Sequence, residues 1–158
     1  EMEAMVETGV FRQAKDGGHI LAAHEGVPWP DKPIDWAWGQ GIPGAPDVPG
    51  AGPLSFRYRF LYHLLAQRDE VIPLIISEWY GDQYQVEGGT PQDVVTAVSW
   101  YDALAAEDYW VLGLCPFTVG PTSAWEAADY TFAYGALVEY MAEVEGRQNS
   151  LPPGPVGE

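Results

Sequence analysis

An α/β fold with a parallel sheet is the class this sequence predicts, and three observations carry it. Helix-like and strand-like stretches alternate in the order αβαβαβα, which implies right-handed crossovers and parallel pairing. Two of the strand-like stretches, Val71–Ile76 and Tyr109–Thr118, are nearly unbroken apolar runs, the pattern of strands buried on both faces. The stretches between them carry helix-start and helix-stop signals where the alternation needs them. The strands expected to lie side by side, in this order, are His19–Ala23, Ile72–Ser77 and Trp110–Cys115, with helices on one face.

In chain order, Met2, Met5, Val6, Val10, Phe11 and Ala14 recur at helical spacing and predict one amphipathic helix, stopped at Asp16-Gly17-Gly18. A short strand follows, with His24-Glu25-Gly26 at its C-terminal edge. From Gly26 to Pro53 the chain is too rich in Gly and Pro for helix or strand, yet it holds Trp29, Trp36 and Trp38. A loop this long is either functional or its own small core, and three tryptophans argue against disorder. Ser55 is placed to cap a helix to about Arg68, with Phe56, Phe60, Leu61, Leu64 and Leu65 inward.

The next strand ends in Ser77-Glu78-Trp79-Tyr80-Gly81, and a polar loop runs on to Gly89. Thr90-Pro91-Gln92-Asp93 then gives a cap, a proline in the first turn and an acid at the third position. Val94, Val95, Val98, Tyr101 and Leu104 form the apolar face of that helix. After the strand at Tyr109–Thr118, broken by Gly120-Pro121, Ser123-x-x-Glu126 reads as a capping box. It opens a last helix with Trp125, Ala128, Phe132, Leu137, Val138 and Met141 inward. Residues 1–147 are one domain on this reading, and the Pro/Gly-rich stretch 148–158 is a linker or tail.

Composition narrows the function. With 23 acidic against 7 basic residues the net charge is -16, which disfavours nucleic acid and anionic membrane surfaces as partners. No apolar run is long enough to span a bilayer. One cysteine, Cys115, rules out an internal disulfide; its apolar setting predicts a buried, inert thiol. His19, His24 and His63 lack the spacing of a metal site, so no metal or cofactor is expected. An aromatic content of 13%, including 7 Trp and 9 Tyr, exceeds what a core of this size needs, so recognition by some of them is expected.

A carboxylate at the C-terminal end of a buried parallel strand sits where α/β folds carry out chemistry, and Glu78 is such a residue. The stretch PLIISEW resembles the strand bearing the catalytic nucleophile in the large clan of retaining glycoside hydrolases built on a (β/α)8 TIM barrel. There an apolar strand ends in Ser/Thr-Glu, often followed by Trp/Tyr-Gly, matching Ile75, Ile76, Ser77, Glu78, Trp79 and Gly81. The run FRYRFLY, PLIISEW and SWYDALAAEDYWVLGLCPFT is similar to bacterial members whose catalytic domain precedes a Pro-rich linker.

The resemblance extends from the first helix to the last. It implies the last three βα units of the barrel with the helix before them, since 158 residues fall short of the ~200 a whole barrel needs. It implies Glu78 as nucleophile and a carbohydrate as substrate. Substrate contacts then fall to His24 and Glu25 on the earlier strand end, Trp29 in the loop, and Trp79, Tyr80 and Phe117. An extracellular or cell-surface location goes with that activity. Two departures stand out: the strand end at Cys115-Pro116-Phe117-Thr118 lacks the family's tryptophan, for which Phe117 or Trp125 is the substitute. The acid/base glutamate of the fourth strand has no match here. Alternatives are a non-catalytic carbohydrate-binding α/β domain and an acidic α/β domain in which Glu78 is structural. Arg57 and Arg59, on an outer helix, are expected to pair structurally.

Overall fold

The computed structural model describes residues 2–27, 35, 38–81, 89–120 and 126–148. Trp29, Trp36, Ser123, Trp125 and residues 149–158 lie outside the described residues, as does most of the loop after Gly81. Three strands, β1 (Leu21–Val27), β2 (Leu74–Gly81) and β3 (Val111–Pro116), form one parallel sheet in the order β1-β2-β3. The fold is α/β, and the neighbour order is the one that the alternation implies. Among the described residues no helix is long and apolar enough to cross a membrane.

The N-terminal stretch is two helices, α1 (Met2–Glu7) and α2 (Val10–Asp16), rather than one. Gly9 takes φ 74 between them, a left-handed conformation that glycine adopts without a Cβ penalty and that interrupts the helix. The predicted glycine stop is present: the N–H of His19 donates to the carbonyl of Ala14 and that of Gly18 to Lys15, with Gly18 at φ 67. β1 begins at Leu21, whose N–H donates to the carbonyl of Pro73. β2 begins just after Pro73, which has no N–H to give a ladder. Both strands continue beyond the bounds expected of them, so His24, Glu25 and Glu78 lie within strands.

Helix α3 (Tyr58–Ala66) is not capped by Ser55. The chain turns through Phe56 at φ 61 and enters the helix at Tyr58. By contrast, α4 (Pro91–Ala105) starts on the predicted capping box: Thr90 accepts from the Asp93 N–H, and the Asp93 carboxylate accepts from the Thr90 N–H. The last helix, α5 (Tyr134–Gln148), starts later than expected, after two short 3-10 turns at Glu126–Ala128 and Thr131–Ala133. Leu137 is buried, but Phe132, Val138 and Met141 are exposed, against the inward face expected of them. The helix also takes in Gln148, the first residue of the expected linker.

The helices lie on one face of the sheet. Leu74, Ile76 and Trp79 of β2 point into that layer and meet Phe11, Phe56, Leu61, Leu65, Val94, Val98 and Tyr101. Just ahead of β3, Asp108 Oδ2 lies 2.7 Å from Arg59 Nε, and the same oxygen accepts from Tyr58 Oη at 2.6 Å. Arg59 also donates to the carbonyls of Leu104 and Gly50, and stands 4.5 Å over the Phe56 ring. The pairing expected for this arginine is therefore present. Arg57 pairs with Glu25 at 3.8 Å.

Candidate functional site

The side of the sheet away from the helices carries the candidate site. Along β2 the pairing with β1 runs Leu74 to Leu21, Ile75 to Ala22 and Ile76 to Ala23, then skips to Glu78 opposite His24. Against β3, Ile76 pairs with Leu114, and the next pair is Trp79 with Pro116. Both neighbours thus show a single extra residue on β2 between Ile76 and Trp79, and the β1 ladder identifies it as Ser77. This is a β-bulge. Regular alternation from Ile76 would turn Glu78 into the helix layer and Trp79 out of it. With Ser77 as the extra residue, Glu78 faces the open side and Trp79 the core.

Glu78 is one-third exposed, and its Oε2 lies 3.2 Å from Nδ1 of His24 on the adjacent strand. The Ser77 hydroxyl donates to the Ala23 carbonyl at 3.4 Å, tying the bulge to β1. Cys115 is exposed, so the buried thiol expected from its apolar surroundings is not found; alternation from Leu114 sends it to the open side. Phe117 is half-buried just past β3, its N–H donating to the Trp79 carbonyl at 2.8 Å.

Other expected site residues stand elsewhere. Trp79 is fully buried, 5.7 Å from the Tyr101 ring, and cannot present a surface to a ligand from there. Its Nε1 has no hydrogen-bond partner among the described residues. Glu25 is also buried, on the helix side of β1, where its carboxylate caps α3. It accepts from the N–H groups of Arg57 and Tyr58 and from Tyr101 Oη, each at 3.3 Å. Burial pushes its carboxyl up from 4.5 to about 7; the Arg57 guanidinium and the N–H groups of Arg57, Tyr58 and Phe56 pull the other way and lose. His24 and Glu25 therefore serve opposite faces, as successive strand residues must. Tyr80 lies in β2, but its side chain is outside the described residues, as is Trp29.

Trp38 packs edge-on against Trp100 of α4 at 5.8 Å, and Trp100 against Phe56 at the same distance. This end of the loop thus packs on the helix layer, not beside Glu78. Residues that carry the site but went unsingled in the sequence are Tyr101 and Tyr130. Tyr101 reads as an ordinary member of the α4 apolar face. Tyr130, fully buried, accepts from the Gly81 N–H at 2.9 Å and so joins the end of β2 to the chain after β3. No motif flags it. Among the described residues no group of His, Cys, Asp or Glu is arranged to hold a metal ion.

Comparison with family models, with curated proteins and with solved structures returns no match for this chain. The class defined by fold and site is an α/β domain with a partly exposed carboxylate, paired to an imidazole, on the open face of a parallel sheet.

Proposed function

We propose that the chain forms the nucleophile-bearing part of a retaining glycoside hydrolase: the last three βα units of a (β/α)8 barrel, acting on a carbohydrate. The observation that carries this reading is the arrangement of the open face along β2. Ile75, towards the start of the strand, is apolar, while Glu78 and its partner His24 come near the C-terminal end. An apolar floor below a polar rim is how barrel interiors are built, with packing at the bottom and chemistry at the top.

In this reading the Glu78 carboxylate attacks the anomeric carbon and forms a covalent glycosyl-enzyme. A second carboxylate, ~5–5.5 Å away, protonates the departing oxygen and then deprotonates the incoming water. That acid/base group is assigned to another βα unit of the barrel. His24, near Oε2, orients the carboxylate and leaves Oε1 for attack. Phe117, at the end of the neighbouring strand, is the aromatic closest in the chain to the family's missing tryptophan. Activity of this kind on a polysaccharide or glycoconjugate fits an extracellular or cell-surface protein, with the stretch after α5 as a linker.

The test is Glu78→Gln in the complete barrel, with a 2-fluoro glycoside as a mechanism-based label. Activity should fall by several orders of magnitude, and the label should map by mass spectrometry to Glu78. An enzyme that turns over substrate with Glu78→Gln at near-full rate would overturn the assignment. Glycan binding without turnover in any form would favour the non-catalytic binding domain.

A further inference from the structure

We infer that Arg57 is a positioning residue for the His24–Glu78 pair, anchored in turn by the buried carboxylate of Glu25. The inference rests on the reading of Glu78 as the reacting group, but its geometry is independent of it. Arg57 stands one residue ahead of α3, beside the outer strand of the sheet. Its Nη2 donates to the backbone carbonyl of His24 at 2.5 Å. Its Nε lies 3.8 Å from Glu25 Oε1, and its backbone N–H donates to Glu25 Oε2 at 3.3 Å. Because Glu25 follows His24 directly, these contacts close a loop: His24 carbonyl, Arg57 guanidinium, Glu25 carboxylate, Arg57 N–H.

Two features make this loop matter on the far face. The Arg57 contact holds the backbone carbonyl of the same residue whose side chain faces Glu78. Meanwhile the His24 and Glu78 side chains are 55% and 33% exposed, so packing alone does not lock the imidazole. Its position follows the tilt of the backbone at His24, and Arg57 sets that tilt. Arginine suits the task because its planar fork reaches a carbonyl and a carboxylate at once; the single ammonium of lysine does not. Glu25 is 2% exposed and also held by Tyr58 N–H and Tyr101 Oη, which makes it a rigid anchor. The path from helix layer to open face is thus Tyr101, Glu25, Arg57, His24, Glu78.

Long-range proton–nitrogen NMR of the His24 ring in this 158-residue protein tests the inference. Glu78→Gln defines the ring resonances of a histidine that has lost its carboxylate partner. Arg57→Ala should move the His24 resonances most of the way to that reference, and Arg57→Lys part of the way. Lys retains the charge beside Glu25 and keeps the test decisive should the Ala variant fail to fold. His24 resonances that stay at wild-type values in the Arg57 variants, or that do not respond to Glu78→Gln, would overturn the inference. In the complete barrel, Arg57→Ala is expected to cut kcat by roughly 10–100-fold with KM unchanged, the signature of a misplaced reacting group. Absence of turnover from every form would count against the glycosidase reading alone, and the NMR outcome would still decide the role of Arg57.

Discussion

Glu25→Gln is the perturbation whose magnitude follows most directly from the structure. The Glu25 carboxyl sits in the helix layer with its pKa raised from 4.5 to about 7, chiefly by burial. The folded protein therefore holds this proton more tightly than the unfolded chain does. That contribution to stability is complete below pH ~4.5 and is lost as pH rises through about 7. Each tenfold difference in proton affinity is worth about 1.4 kcal/mol, so ionising the buried carboxyl withdraws about 3 kcal/mol between mild acid and pH 8.5. Glutamine keeps the size and one of the two acceptor oxygens, so it gives up part of the contact with the Arg57 and Tyr58 N–H groups at every pH alike, but it never ionises.

The assay is urea denaturation of both proteins at intervals from pH 4.5 to 8.5. Taking the difference between variant and wild type cancels the general self-repulsion of a chain carrying a net charge of -16. The stability of Glu25→Gln relative to wild type should climb by about 3 kcal/mol across the range. For a domain of this size that corresponds to a relative gain of roughly 6–12 °C in Tm. A difference that stays flat with pH would refute the reasoning: the Arg57 guanidinium and the three donors would then outweigh burial and keep Glu25 ionised throughout.

Two more outcomes follow from the same geometry. Asp108→Ala removes the acceptor shared by Arg59 Nε and Tyr58 Oη and leaves a nearly buried guanidinium without its counter-charge, so unfolding should become easier by about 3 kcal/mol in urea titration; a loss below 1 kcal/mol would mean that the carbonyls of Leu104 and Gly50 suffice for Arg59. Deleting Ser77 should leave a cooperatively folding protein with Trp79 still buried by fluorescence quenching, because the ladders to both neighbouring strands already skip one residue there; deleting Ile75 should instead turn the rest of β2 over and destroy the core, and equal damage from both deletions would refute the bulge.

Much of the architecture could be read from the chain because each element obeys a local rule. The two long apolar runs, the glycine stop at Gly17-Gly18 and the Thr90–Asp93 box need only their own neighbours to act, and each is where the pattern puts it. The failures share a cause. Gly9 interrupts a good helical periodicity because a left-handed residue breaks the ladder whatever the side-chain pattern says. Ser55 has the chemistry of a cap, but Phe56 at φ 61 carries the chain past it, and the donors at the start of α3 go to Glu25, some thirty residues earlier. A cap supplied by another strand leaves no trace in local spacing. The exposed Val138 and Met141 show the converse: helical spacing identifies an apolar stripe without saying what meets it.

The same distinction governs the site. Motif and strand polarity single out Glu78, but polarity only places it near the correct end of β2; it does not choose the face. On period alone Glu78 shares a face with Ile76 and belongs in the core, beside residues as apolar as Leu74. Its place on the open face depends on one supernumerary residue, and a bulge has no sequence signature stronger than a small polar residue between an apolar run and an acid. The bulge also accounts for Trp79 and Glu25. Once Glu78 turns outward, Trp79 must turn inward, where it meets Tyr101, and Tyr101 in turn donates to Glu25. Residues adjacent in the motif thus divide between two layers, His24 and Glu78 on one and Glu25 and Trp79 on the other. Arg57, which touches both His24 and Glu25, is the residue through which the buried layer acts on the exposed one.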